Sequence, residues 1–436
     1  MMIDETVLPF KLELTNEKLT AHAGLAVAHE FHLGLGLDRL VDERLPGPGS
    51  NRGYRPSEVV LPLVLMLQGG GRDLEDIAVI ARDEALRAAA GLVKMPASTT
   101  LGDWLRRTGE SQAAMSGLAV VQDGLTACRH KPDARTDYTL DVDTTIIEAH
   151  KQDATRAYEG TVGYQPMVGF LDETRWLLHD EFRTGSASPQ AGGVEFITTC
   201  RRRMPSGKRI AEVRSDSAFY NHEVTDYCHG EKIIYTIGAD WDPAVQTAYD
   251  AIPLDAWTPM PSEKGEPVCE AAETVHTFNA GHHSFRLVFV RDIDTQGHLF
   301  AGTRRGRGII TNAPAEKRNA AEVVAHYNRR GTMENHIKEL KHGFGMHSLP
   351  CGQQAANAAW FRIGALAYNL FLFEQAFGLP PELLHATVAT VRWRLYQVAA
   401  RLVRHARSII LKVATDAATF AILSDLRFAA RSMAFP

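Results

Sequence analysis

Hydrophobic positions change their period along this chain, and the changes divide it. From about residue 18 to 130 they recur at helical spacing, as in Val59, Val60, Leu63, Val64 and Leu67, and again in Leu74, Ile77, Ala78 and Ala81. Pro56-Ser57-Glu58 predicts a helix start, with Pro62 leaving its boundary open because a proline suits a first turn. Ser98-Thr99-Thr100 predicts an N-cap for a short basic helix through Leu101, Trp104, Leu105, Arg106 and Arg107. Such a helix serves either a bundle or DNA reading.

Near Tyr138 the period shortens to two. The segments YTLDVDTTII, YQPMVGFL and RWLLHDEFR predict three strands. A helix over 193–203, a strand at RIAEVRSD, a helix around 220–228 and a strand at KIIYTIGAD follow. That order predicts an α/β class with a mixed five-stranded sheet. Residues 239–312 are less regular, with Pro253, Pro259, Pro261 and Pro267 and then FRLVFVRDI, HLFAG and GIITN, which predict a β-rich insertion. Helices resume from Glu316, and the last long one is expected to carry Arg394, Arg401 and Arg404 near one face. The apolar run 360–379 contains Arg362, Asn369 and Glu374, which predicts a buried helix and not a membrane span.

A length of 436 residues allows two or three domains, and 45% apolar with 23% charged residues is ordinary for a globular protein. The five cysteines are scattered and form no CxxC pair, so a disulfide framework and a zinc knuckle are both disfavoured, in keeping with a reducing cytoplasm. The acidic start MMIDETVLPFKLEL has no signal-peptide apolar core. A net charge of −5 counts mildly against DNA binding, but its distribution counts the other way. Residues 301–341 hold nine Lys/Arg against four Asp/Glu, and residues 391–436 hold eight against two. Residues 200–209 carry Arg201, Arg202, Arg203, Lys208 and Arg209 with no acid.

Candidate chemistry lies at two strand ends and on one helix. Asp143 ends one strand-like run and Asp216 another. Asp141, two residues before Asp143, points to the same side of its strand, so either could be a ligand; Asp143 is favoured because it leads into Thr144-Thr145. Tyr327, Arg330, Glu334 and Lys341 fall within about 60° of one another on a helix, with Lys338 close to the same stripe. Three carboxylates from two strand ends and a helix can converge above a sheet. Hard oxygen ligands of this kind select Mg²⁺ or Mn²⁺. Two such ions, roughly 3.5–4 Å apart, suit phosphodiester chemistry.

At these residues the chain resembles the bacterial insertion-sequence DDE transposases with a ribonuclease-H-like catalytic core, most closely the 1380 group of the insertion-sequence 4 superfamily. Tyr327, Arg330, Glu334 and Lys341 match that superfamily's Tyr-x2-Arg-x3-Glu-x6-Lys signature at every spacing. Asp143-Thr144-Thr145 matches its first aspartate motif, and Asp216-Ser217-Ala218-Phe219 its second. YEGTVGYQPM and NHIKELKHGFGMHSLPC are also similar to that group. The resemblance implies cut-and-paste transposition, with Asp143, Asp216 and Glu334 catalytic and holding Mg²⁺, for which Mn²⁺ can substitute. It implies that Tyr327, Arg330 and Lys341 contact phosphates of double-stranded DNA at terminal inverted repeats and target. Lys338 joins them from the stripe geometry. A homodimer pairing two ends and a cytoplasmic, nucleoid-associated location are implied as well.

The chain then divides into a helical DNA-binding region (1–132), the first part of the catalytic core (133–238), a β-rich insertion (239–312), the second part with the glutamate helix (313–380) and a helical region for dimerisation or DNA contact (381–436). Trp241 and Trp257 fall in the insertion, where some relatives use a tryptophan for a flipped base; a buried place in the β-rich core is the expectation for both. His222, His229 and His282-His283 lack zinc spacing, and GTRRGRG (302–308) lacks the Lys-Ser/Thr of a phosphate loop, leaving a basic turn that can touch DNA. A catalytically silent DNA-binding descendant and a general ribonuclease-H-like nuclease are the competing functions.

Overall fold

Pairing of the alternating segments produces one mixed sheet of nine strands. The computed structural model describes residues 11–50, 52–260, 269–293, 306–406 and 408–432. Within these, the strands are β1 (Asp137–Thr144), β2 (Met167–Leu171), β3 (Trp176–Glu181), β4 (Arg209–Ser215), β5 (Ile234–Gly238), β6 (Thr258–Pro259), β7 (Cys269–Thr277), β8 (Ser284–Asp292) and β9 (Gly306–Thr311). Their order is β6-β7-β8-β9-β5-β4-β1-β2-β3. Only the β1–β4 and β4–β5 pairs are parallel. The five expected strands lie together at one side of this sheet. The β-rich segment expected as an insertion joins the same sheet through the β9–β5 pairing. It opens with a helix, Pro243–Asp250. HLFAG and residues 302–305 of the basic turn lie outside the described residues, and Gly306–Gly308 opens β9.

Helices cover both faces because successive strand residues point opposite ways. Gly169 faces Phe196 and Cys200 of the helix Gly193–Arg202, whereas its neighbour Phe170 packs on Tyr368 and His336 on the other side. Tyr368 belongs to the long helix Gln354–Phe377, which is buried along most of its length. Its buried polar side chains have partners that explain them. Arg362 pairs with Asp180 at 3.0 Å. Asn369 bonds both the N–H and the carbonyl of Leu177, at 3.1 and 2.7 Å, satisfying the open edge of β3. Glu374 accepts from Gln68 and from Tyr396 and pairs with His32 at 2.8 Å. Among the described residues, no helix is long and apolar enough to cross a membrane.

Helices Ala23–Gly34, Leu37–Arg44, Ser57–Gly69, Ile77–Arg82, Glu84–Ala90, Ser98–Glu110 and Gln112–His130 account for the early helical periodicity. Pro62 sits inside Ser57–Gly69, past the first turn. Ser98 is already helical, and Ala97 caps that helix without a side-chain bond, so the expected Ser/Thr cap is not used. The end of the chain departs further from expectation. Arg394 lies in a π-turn (Arg392–Tyr396), and Arg401 and Arg404 lie on a strand, Ala400–His405, hairpin-paired with Ser408–Val413. The β-branched run at Ile409 and Ile410 favours this, and Leu402 faces inward while Arg401 and Arg404 face water. Leu19–Thr20 adds a third strand, and only Ala417–Ser432 is a long helix here. The main apolar core runs from Leu25 to Ala430, and a smaller one joins Val288, Val290 and Ile309 to Val323 and Val324.

One buried cation locks the strands that lead to the candidate chemistry. Arg214 on β4 is fully buried and grips Asp141 of β1 with two bonds of 2.7 Å. It also holds Asp172, after β2, at 2.8 Å and donates to the His326 carbonyl at 2.8 Å. Removing one partner from such a pair leaves a buried charge uncompensated. Arg214→Met is therefore expected to lower unfolding free energy by about 3–5 kcal/mol in urea titration, and adding Asp141→Leu to recover part of that loss. On the same strand Glu212 meets Arg318 at 2.8 Å and His326 at 3.2 Å. Burial alone would raise its pKa, but bonds from His326 and Arg318 outweigh burial and hold the carboxyl well below 4.5. A depressed carboxyl stabilises above its ordinary pKa and loses that contribution as pH falls. Glu212→Gln is expected to lower stability at pH 7 and to flatten the loss between pH 5 and 3, read from urea midpoints.

Candidate active site

The parallel register brings two aspartates to one sheet end. Asp141 is paired with Arg214 and Val142 with Ser215, so Asp143 and Asp216 come next, side by side, at the carboxyl ends of β1 and β4. Asp141 and Asp143 share one face of β1, but Asp141 sits one pleat earlier, opposite Arg214. Asp141 is wholly buried under Arg214, while Asp143 lies at the site. Asp143 Oδ1 accepts from the Thr144 N–H at 2.8 Å. Asp216 Oδ1 accepts from the Ala218 N–H at 3.1 Å, capping the turn Ser217–Phe219. Phe219 is buried against Gly193, which anchors that turn in the core.

The third carboxylate arrives on a broken helix. Tyr327 ends Ala320–Asn328, Glu334 lies on Gly331–Lys338, and Lys341 falls in a π-turn over Glu339–Gly343. The single straight stripe expected from spacing is thus three short pieces. Arg330, at the first break, still faces the aspartates. Its Nη2 reaches Asp143 Oδ2 at 2.9 Å and Asp216 Oδ2 at 3.4 Å, and its Nη1 reaches Glu334 Oε1 at 3.5 Å. All three carboxylates ring one guanidinium. Glu334 is 66% exposed and closes the ring from the solvent side. Burial pushes Asp143 up to about 7 against the pull of Arg330, and Asp216 and Glu334 push the same way. Three acids around one base leave an excess of negative charge.

The neighbouring residues shape this ring. The Tyr327 hydroxyl lies so close to Gly238 that a Cβ there would sit 2.5 Å from it, which is why the end of β5 needs glycine. Lys341 Nζ donates to the Ile146 carbonyl at 2.8 Å and to Thr145 Oγ1 at 3.3 Å, fastening the segment that follows Asp143. Burial lowers its pKa. Lys338 is exposed. Trp257 is buried with Arg291 stacked 3.8 Å from its ring centre, as expected, whereas Trp241 is 41% exposed and rests edge-on against Tyr249 and Phe289. His229 and His283 stack at the surface with ring centres 3.7 Å apart.

Arg214 and Asp172 are the supporting residues that sequence reading missed. An arginine inside a β-branched strand was the available signal. Among the described residues, no group of three His, Cys, Asp or Glu stands ready at metal-ligand spacing. Asp143, Asp216 and Glu334 are nonetheless an oxygen-only set already arranged around a positive charge, which is the donor chemistry a divalent magnesium or manganese ion takes.

No curated protein matches the chain. Among solved structures, a piggyBac transposase synaptic complex with hairpin DNA aligns over 96% of this chain and 83% of that chain, at 8% identity and a TM-score of 0.45. The family model for the transposase DDE domain, group 1, matches residues 8–432. Because that match spans nearly the whole chain, the protein belongs to the DDE-domain transposases of group 1.

Proposed function

We propose that this protein is a cut-and-paste transposase of an insertion sequence, of the 1380 group in the insertion-sequence 4 superfamily, with a ribonuclease-H-like core. Asp143, Asp216 and Glu334 are its catalytic carboxylates and hold Mg²⁺, for which Mn²⁺ can substitute. The observation that carries the proposal is the convergence of these three side chains on one guanidinium. The strand order β3-β2-β1-β4-β5, with its first two acids at adjacent parallel strand ends, supports the core assignment.

A bound divalent ion supplies activation of the attacking oxygen and charge neutralisation at the leaving one. The chain's own residues do the rest. Arg214 and Lys341 fix the strands and the segment that carry Asp143 and Asp216. Arg330, Lys338, Lys341 and Tyr327 face the backbone of double-stranded DNA at the terminal inverted repeats and then the target. Such phosphate contacts position the duplex without reading its sequence. Water opens the phosphodiester at the element's end, and the freed 3′-hydroxyl attacks target DNA. A homodimer pairs the two ends.

Asp143→Asn, Asp216→Asn and Glu334→Gln are each expected to cut strand cleavage of end-bearing DNA by more than about 100-fold, beyond the roughly 10–100-fold cost of losing an outer-shell partner. End binding in gel-shift assays should persist. Cleavage that survives any one change removes that residue from the site. Binding without metal-dependent cutting in wild type indicates a silent DNA-binding descendant. Cutting that unrelated DNA competes away equally indicates a general nuclease. Lys338→Ala is expected to weaken binding of all duplexes alike and to reduce the salt slope of log K by about 1, measured from 50 to 200 mM salt.

A further inference from the structure

Two arginines of this site are held in opposite ways, and the contrast indicates what Arg330 does. Arg214 is sealed from solvent, with bonds of 2.7–2.8 Å to Asp141, Asp172 and the His326 carbonyl. It serves as a fixed tie. Arg330 makes contacts of 2.9, 3.4 and 3.5 Å, and its buried Nε–H has no partner. It is loosely held and keeps a donor free.

The oxygens involved are also telling. One oxygen of each aspartate is committed to its own backbone, Asp143 Oδ1 to Thr144 and Asp216 Oδ1 to Ala218. The other oxygen of each, Oδ2, is the one that faces Arg330. Those Oδ2 atoms, free of backbone bonds and facing each other across the guanidinium, are the oxygens a cation shared by the two aspartates most readily takes. The guanidinium and a divalent ion therefore compete for one position.

We infer that Arg330 is a built-in competitor of the divalent cation, occupying the carboxylate ring until a DNA phosphate draws its guanidinium away. This rests on the metal-dependent reading of Asp143, Asp216 and Glu334 proposed above. A phosphate offers the planar fork two oxygens, the geometry guanidinium binds best. Removal of Arg330 from the ring leaves Oδ2 of both aspartates open, so DNA engagement and cation entry are coupled in the chain itself. A protein without DNA then keeps its cutting chemistry disarmed.

The test is Mn²⁺ binding to the full-length protein without DNA, read from the free-ion signal in electron paramagnetic resonance, for wild type, Arg330→Gln and Arg330→Lys. Arg330→Gln should bind Mn²⁺ at least about tenfold more tightly than wild type, with Arg330→Lys between them, because lysine keeps the charge without the fork. Arg330→Lys carries the comparison if the glutamine variant melts at working temperature. Adding Asp143→Asn to either variant should abolish the gain. A short duplex, after subtraction of the Mn²⁺ that it holds alone, should tighten binding in wild type and change it little in Arg330→Gln. Equal or weaker binding in both Arg330 variants overturns the inference while leaving the metal site standing. A gain that survives Asp143→Asn overturns it by placing the ion elsewhere. If folded wild type and both variants bind no Mn²⁺ at millimolar concentration, with or without duplex, the metal reading itself fails and the inference with it.

Discussion

Arg214 holds a full positive charge where water cannot reach it, and an ion in that position is tolerated only when its donors are all directed at acceptors. Asp141, Asp172 and the His326 carbonyl provide them. These acceptors come from β1, the turn after β2 and the end of the helix before Arg330. The pieces that carry Asp143, Asp216 and Glu334 are therefore gathered by one side chain that touches none of the three. A one-residue slip between β1 and β4 would both strand this charge and turn Asp143 to the opposite face. Stability and site geometry rest on the same contact.

The long helix Gln354–Phe377 applies the same principle elsewhere. Its buried polar residues would be costly in an apolar core, yet they answer specific needs: a carboxylate, the open edge of β3, loop backbone at Cys351, Leu383 and Ala386, or a cluster of buried polar side chains. Glu374 joins His32, Gln68 and Tyr396, which lie on three other elements. Buried polarity here fixes which helices pack together, while the surrounding apolar area drives the packing.

Much of this was legible in the residues because strand alternation and chemistry coincide. Asp143 and Asp216 end runs whose period of two is plain, and the spacing from Tyr327 to Lys341 singled out the segment that faces them. The helix carrying that segment was expected to be straight. It breaks near Arg330 and loosens into a π-turn at Lys341, and periodicity cannot register a break that preserves the general direction of the side chains. Arg401 and Arg404 fit helical spacing as well as they fit a strand, and only pairing with Ser408–Val413 decides the matter. The role of Arg214 depends on which residue of β1 lies opposite it. The continuation of the core sheet into β9 depends on an equally distant pairing. Register between distant strands is a property of the folded molecule and leaves no local trace.

The pairing of Leu19–Thr20 with Ala400–His405 has a consequence in time. The helix Ala23–Gly34 lies on the helix Ala417–Ser432, with Gly34 against the Ala430 backbone, and the Ala23 N–H bonds the Val398 carbonyl at 3.0 Å. During synthesis this helix meets Leu37–Arg44, Ser57–Gly69 and Glu84–Ala90 early, but Val398 and Ala417–Ser432 emerge only after most of the chain has been made. At roughly 5–20 residues per second, the part of its face that meets them waits on the order of 20–80 s. The sheet and its buried arginine can form within that interval, so the seam between the two ends of the chain closes last, around a sheet end already assembled.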